Sequence, residues 1–173
     1  ISTAQSMFGG ASVAFDGSGD SLTFSSISLN TDFTLEGFFR LSGSSSDYYA
    51  LGGASIFYQL LRFNESNTAS TVTTYIGSGY VFNKVASGIL ANTWYHVAIV
   101  RSGITFYLFV NGILISTNTS PPSEARGTLT LNSIGAAGGT SNFNGYIDEF
   151  RATNYARYTS NFTPPTAPFP DGP

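Results

Sequence analysis

Asp16-Gly17-Ser18-Gly19-Asp20 sets two carboxylates on either side of a tight glycine turn, where both can share one hard cation with exposed turn carbonyls. Aspartate beside glycine is also ordinary turn chemistry, so the pentapeptide alone is a weak calcium signal. His96 is the single histidine, which excludes any motif that needs two. Its same-face strand neighbours are Trp94 and Ala98, and the simplest role for it is that of a hydrogen-bonded structural residue. The chain has no Gly-x-Ser-x-Gly elbow to provide an activated serine. Gly17-Ser18-Gly19 and Gly77-Ser78-Gly79 lack the third glycine and following helix of a phosphate-binding loop, and read as hairpin turns. With no cysteine, disulfides, thiolate metal sites and thiol catalysis are excluded.

The middle third of the chain offers a different chemistry. Tyr48 and Tyr49 follow the polar loop Ser42 to Asp47, and Tyr58, Arg62, Tyr75 and Tyr80 lie on strands or turns. Sugars bind by stacking on aromatic faces with hydrogen bonds to flanking polar groups, and these six residues supply both. A tyrosine on a strand serves equally well as a core or cross-strand partner. Nucleic acid is excluded as a partner by the net charge of −3, the single lysine (Lys84) and the lack of a basic run. No apolar stretch approaches the roughly 20 residues of a membrane helix, and no basic start with an apolar h-region opens the chain, so neither membrane insertion nor an export signal is expected.

These side chains must be carried by strands. Of the 173 residues, 42% are hydrophobic and only 10% charged, which places the chain among globular proteins large enough for one sizeable core. Gly, Ser and Thr punctuate short segments rich in Phe, Tyr, Val and Ile, with no sustained 3.6-residue period. Strands are expected at 12–16, 20–24, 33–41, 48–51, 56–63, 71–76, 80–84, 93–101, 104–110, 113–117, 128–134 and 143–151. Asn111-Gly112 readily takes the positive φ angles of a type I′ turn, so 104–110 and 113–117 form a hairpin and 93–117 a three-stranded meander, expected at the centre of the fold. Alternation along 33–41 sends Phe33, Leu35, Phe39 and Leu41 to the core and Thr34, Glu36, Phe38 and Arg40 to the opposite face. The stretches 42–47, 64–70, 120–127 and 135–141 read as loops, with one helical turn near 120–125 capped by Ser120. From Thr163 the sequence becomes Pro-Pro-Thr-Ala-Pro-Phe-Pro-Asp-Gly-Pro, which cannot join a central strand. A folded domain over 1–163 and a Pro-rich C-terminal linker over 164–173 are therefore expected.

Four stretches in order, 8–20 (FGGASVAFDGSGD), 32–36 (DFTLE), 94–101 (WYHVAIVR) running into Val110-Asn111-Gly112, and 143–151 (FNGYIDEFR), resemble the concanavalin-A-like lectin/glucanase superfamily in its laminin-G-like (pentraxin-like) branch. The resemblance spans nearly the whole chain. The tail 156–165 (ARYTSNFTPP) is similar to the ends of such domains in phage virion and bacterial surface proteins. The resemblance implies an all-β jelly-roll sandwich of two antiparallel sheets, and a module cut from a longer virion or cell-surface protein with neighbouring modules. It also implies a calcium ion where an N-terminal loop meets the last strand, with Asp148 in the ligand position beside Asp16 or Asp20. Glucanase relatives carry alternating carboxylates on one strand, because acid and nucleophile must project from one face about 5 Å apart. Here Glu36 stands alone on its face, and the adjacent Asp148 and Glu149 point to opposite ones.

The expected function is therefore non-catalytic recognition of a cell-surface glycan or polysaccharide, an adhesion role on a virion fibre or surface protein. The alternative is a structural virion decoration or spacer without a glycan ligand.

Overall fold

The computed structural model describes residues 1–43, 47–53, 57–64, 71–138 and 141–170. Parts of the expected loops 42–47, 64–70 and 135–141, the start of the strand expected from Ile56, and residues 171–173 lie outside that set. In chain order the strands are β1 (Val13–Asp16), β2 (Leu22–Leu29), β3 (Phe33–Leu41), β4 (Asp47–Gly52), β5 (Tyr58–Asn64), β6 (Thr71–Ile76) and β7 (Gly79–Ala86). They continue as β8 (Trp94–Ser102), β9 (Thr105–Val110), β10 (Ile113–Asn118), β11 (Leu129–Ile134), β12 (Ala136–Ala137), β13 (Ser141–Asn142) and β14 (Asn144–Thr153). Two six-stranded antiparallel sheets result, ordered β1-β14-β3-β8-β9-β10 and β2-β11-β4-β5-β6-β7. This is the expected all-β sandwich. The β12–β13 pair lies in the stretch read as a loop. The 93–117 meander is present but flanks rather than centres its sheet, because β10 is an edge strand.

Alternation explains the core. Phe33, Leu35, Phe39 and Leu41 enter it as their spacing requires, and Tyr48, Phe63, Phe106, Leu108 and Leu131 meet them from the other strands. Phe143, just before β14, is the hub of an aromatic cluster, with ring centres 5.8 Å from Phe15, 6.4 Å from Phe39 and 5.9 Å from Tyr48. Edge-to-face contacts of this kind contribute about 0.5–1.5 kcal/mol each beyond simple burial. At the β9–β10 turn Asn111 and Gly112 have φ of 48° and 76°, and Val110 pairs with Ile113, the two-residue loop the sequence demands. A 3-10 turn spans Ser123–Arg126, preceded by Pro122 and without a side-chain cap, so Ser120 does not play the capping role expected of it.

The far face of the β3–β8–β9 sheet is covered by another part of the chain. It is not a solvated surface: Thr34, Glu36, Phe38, His96, Ala98, Val100 and Phe109 are all buried. The cover is the C-terminal segment, whose Ala156, Tyr158 and Phe162 form a second apolar cluster with Ala98, Val100 and Phe109. The Phe162 amide donates to the Gly112 carbonyl at 2.9 Å. The segment expected as a linker from 164 also returns to the sheet, since the Phe169 amide donates to Glu149 Oε2 and the Phe169 ring lies 3.8 Å beneath the Arg151 guanidinium.

Candidate functional site

The expected metal ligands do not gather. Asp16 pairs with Asn144 and Val13 with Ile147, so Asp148 lies opposite residue 12, four register positions or about 13 Å along the strand from Asp16. Asp148 is already engaged: Oδ2 accepts the Met7 amide at 2.7 Å and the Phe8 amide at 3.1 Å, and Oδ1 accepts its neighbour Glu149 N–H at 3.0 Å. It clasps the N-terminal segment to the last strand. Asp16 and Asp20 do share a hollow of about 340 Å³ with Asn144 and Tyr146, but the Ser18 amide occupies Asp16 Oδ1 and the Asp16 amide occupies Asp20 Oδ2. Among the described residues no group of three or more Asp, Glu or His side chains is placed to hold a metal. The donor set expected for calcium thus does not fit one ion.

Glu36 and His96 are likewise committed to structure. Glu36 Oε1 accepts from Arg151 Nε at 3.0 Å and Nη2 at 2.8 Å, and Arg157 Nε lies 3.4 Å away. Oε2 meets His96 Nε2 at 3.2 Å and accepts the Tyr158 hydroxyl at 3.1 Å. Burial pushes the Glu36 carboxyl upward, but its bonds to His96 and Arg151 and their charge outweigh that and hold it below the ordinary range. The Tyr158 hydroxyl is pushed up to about 12, first by burial and then by the Glu36 charge. The cluster ties β3, β8, β14 and the C-terminal segment together beneath a covered surface.

The six residues read as a sugar platform divide by strand geometry. Tyr48 is fully buried against Phe143, and Tyr58 pairs with the buried Ile76 and packs on the core. Both point inward, so neither ring can stack on a ligand. The other four point outward. Tyr49 stands opposite Arg62, whose guanidinium lies 5.1 Å over its ring. Tyr75 stands opposite Tyr80, their rings edge-to-face at 4.9 Å. A bulge in β5 between Gln59 and Arg62 turns Leu60 and Leu61 inward together and leaves Gln59 and Arg62 outward, with Arg62 Nη1 donating to Gln59 Oε1 at 3.3 Å.

Two residues of this face were not singled out in the sequence. Gln59 pairs with Tyr75, and Phe57, 55% exposed, has its carbonyl bonded by the Gly77 amide beside Tyr75 and Tyr80. The parity of Phe57 and Gln59 with respect to the inward Tyr58 was the available signal. Tyr80 is 47% exposed on the edge strand β7. The turn that presents it is braced from behind, where Ser78 Oγ donates to Glu124 Oε1 at 2.7 Å and Gly77 and Gly79 pack on Glu124 and Pro122. The face combines exposed rings, an amide and a guanidinium. That set supports stacking and hydrogen bonding.

The fold recurs in distant proteins. A native heptameric SAP-like pentraxin from Limulus polyphemus superposes with a TM-score of 0.62 at 15% identity, over 84% of this chain and 76% of that one. The sialidase carbohydrate module CBM40 of Ruminococcus gnavus, bound to α2,3-sialyllactose, gives 0.58 at 14% identity, over 75% and 79%. A galectin from Caenorhabditis elegans gives 0.53 at 14%, over 80% and 94%. At such identities the likeness concerns the fold. No curated protein sequence matches the chain. A family model, the Laminin_G_3 model of the concanavalin A-like lectin/glucanases superfamily, matches residues 16–160, most of the sandwich from the end of β1 into the covering segment. The chain belongs to the concanavalin A-like lectin/glucanase superfamily, in its laminin-G-like branch.

Proposed function

We propose that this domain is a non-catalytic carbohydrate-recognition module that holds its ligand on the outer face of the β4–β5–β6–β7 sheet. The observation that carries the reading is the grouping of Tyr49, Gln59, Arg62, Tyr75 and Tyr80 on that one face, with polar groups held beside aromatic rings. Solved relatives of the same fold include a carbohydrate module with sialyllactose bound and a galectin. The reading is non-catalytic because Glu36 is sealed in a structural cluster, while Asp148 and Glu149 are taken up by backbone amides of the two terminal segments. Display in several copies on a virion fibre or surface protein makes weak single-site affinity effective by raising the local concentration.

The test is a glycan array covering bacterial and host polysaccharides, probed with the domain multimerised on a streptavidin carrier, with product analysis of every hit. Retention that is lost in Tyr75→Ala and Tyr80→Ala supports the reading. A blank array points to a spacer domain, and shortened oligosaccharides point to an enzyme.

A further inference from the structure

We propose that the ligand is an internal segment of a linear polysaccharide, about three sugar units long, lying across the strands from Tyr49 to Tyr80. The inference rests on the glycan reading above and specifies the ligand class. Tyr49 and Tyr80 lie on β4 and β7, three strand spacings apart, and the Tyr49–Arg62 row lies two residues along the strands from the Gln59–Tyr75–Tyr80 row. Those offsets give a diagonal of about 16 Å, the length of about three pyranose units of roughly 5 Å each. The two ends differ in chemistry: at one the Arg62 guanidinium covers Tyr49, and at the other the Tyr75 and Tyr80 rings meet edge-to-face. Gln59 lies between them and bonds Arg62, which fixes the donor set before any ligand arrives.

At the Tyr80 end the face reaches the rim of its sheet. β7 is the edge of its sheet, so a polymer crossing the strands runs past the half-exposed Tyr80 into solvent. The apolar cavity of about 270 Å³ beside Ile1, Leu22 and Ile147 and the Asp16–Asp20 hollow both lie elsewhere. Selection of a terminal sugar needs a closed pocket around the chain end. A face that runs out to a sheet edge selects length and lets the chain extend past Tyr80.

The experiment is titration calorimetry of the folded chain with gluco-, xylo- and manno-oligosaccharides linked β-1,4 and gluco-oligosaccharides linked α-1,4, each from one to six units, alongside retention on the matching polymers. In any series that binds, association should rise about tenfold or more from one to three units, and only about fourfold from three to six, the number of three-unit frames in a hexamer. Capping the reducing end as a methyl glycoside should leave hexamer affinity unchanged. Tyr49→Ala and Tyr80→Ala should each bring the trimer close to the dimer's affinity, and Tyr49→Phe and Tyr80→Phe should restore it, which separates lost stacking from lost folding. A monosaccharide that binds as tightly as the hexamer, or a cap that abolishes binding, overturns the internal-chain inference while leaving the glycan reading intact. Failure of every polymer to retain the domain overturns the glycan reading with it, and binding untouched by both Tyr49→Ala and Tyr80→Ala overturns the placement of the ligand on this face.

Discussion

Replacing Glu36 with alanine should release the C-terminal cover before it unfolds the sandwich. Glu36 is 1% exposed and accepts four hydrogen bonds, two from Arg151 and one each from His96 and Tyr158, with Arg157 close by. Its removal leaves the Arg151 and Arg157 guanidinium groups without their shared carboxylate, and a phenol and an imidazole that have lost their acceptor. Breaking one side of a buried ion pair costs about 3–5 kcal/mol, because the remaining charge stays desolvated. The Arg151 and Arg157 side chains are 19% and 24% exposed, and can turn partly to solvent, which argues for the lower end of that range. For a chain of this size each kcal/mol lowers the melting temperature by about 2–4 °C, so a fall of at least about 6 °C is expected.

Urea denaturation of Glu36→Ala beside the native chain measures the loss, and limited trypsinolysis reports where it falls. Cleavage after Arg157 should appear at urea concentrations at which the β3–β8–β9 core still resists, because residues 155–162 are held by this cluster and by the Phe162–Gly112 bond. A stability change under about 1 kcal/mol with an unaltered tryptic pattern would refute the assignment of Glu36 as the tie between cover and sheet. Glu36→Gln, which keeps the shape and one acceptor, should fall between the two.

Three further outcomes follow from the same structure. The Glu36 carboxyl sits below its ordinary range in the folded state, so its stabilisation is complete above the unfolded value near 4.5 and is lost as pH falls through the folded one. Tyr158, raised to about 12, gives stabilisation that is complete below about pH 10 and lost as pH rises toward 12; urea midpoints across pH measure both limbs, and Tyr158→Phe should remove the alkaline one. Leu35→Ala should cost about 2–5 kcal/mol in denaturant unfolding, because Leu35 is 1% exposed between the sheets and leaves a cavity; a loss below 1 kcal/mol would contradict its core position. Asp148→Ala should free the N-terminal segment, visible as faster amide exchange at Met7 and Phe8 with a global cost of about 1–3 kcal/mol, while unchanged exchange there would mean that the carboxylate does not hold those amides.

Strand identity is a local property, and the sequence by itself determined most of it. Alternating residues along 33–41 fix which side chains face the core, and Asn111-Gly112 fixes a hairpin register, because both depend on the two-residue period of a strand and on φ angles open to Asn and Gly. The family followed from short stretches in a fixed order. What the local pattern could not decide was the fate of the opposite face. Glu36 reads as a lone carboxylate on its face of the strand, yet its partners come from positions 60, 115 and 122 residues away, and the cover that buries it is the strandless segment 155–162 just ahead of the Pro-rich stretch. Asp148 resembles a metal ligand until the loop at Met7 and Phe8 fills its oxygens. Among the tyrosines, parity separates Tyr48 from Tyr49, whereas the two-residue inward step at Leu60 and Leu61 that keeps Gln59 and Arg62 together on the outer face is a bulge set by β6. A bulge is a property of two strands in register and burial is a property of whatever docks last, so tertiary structure alone decided both.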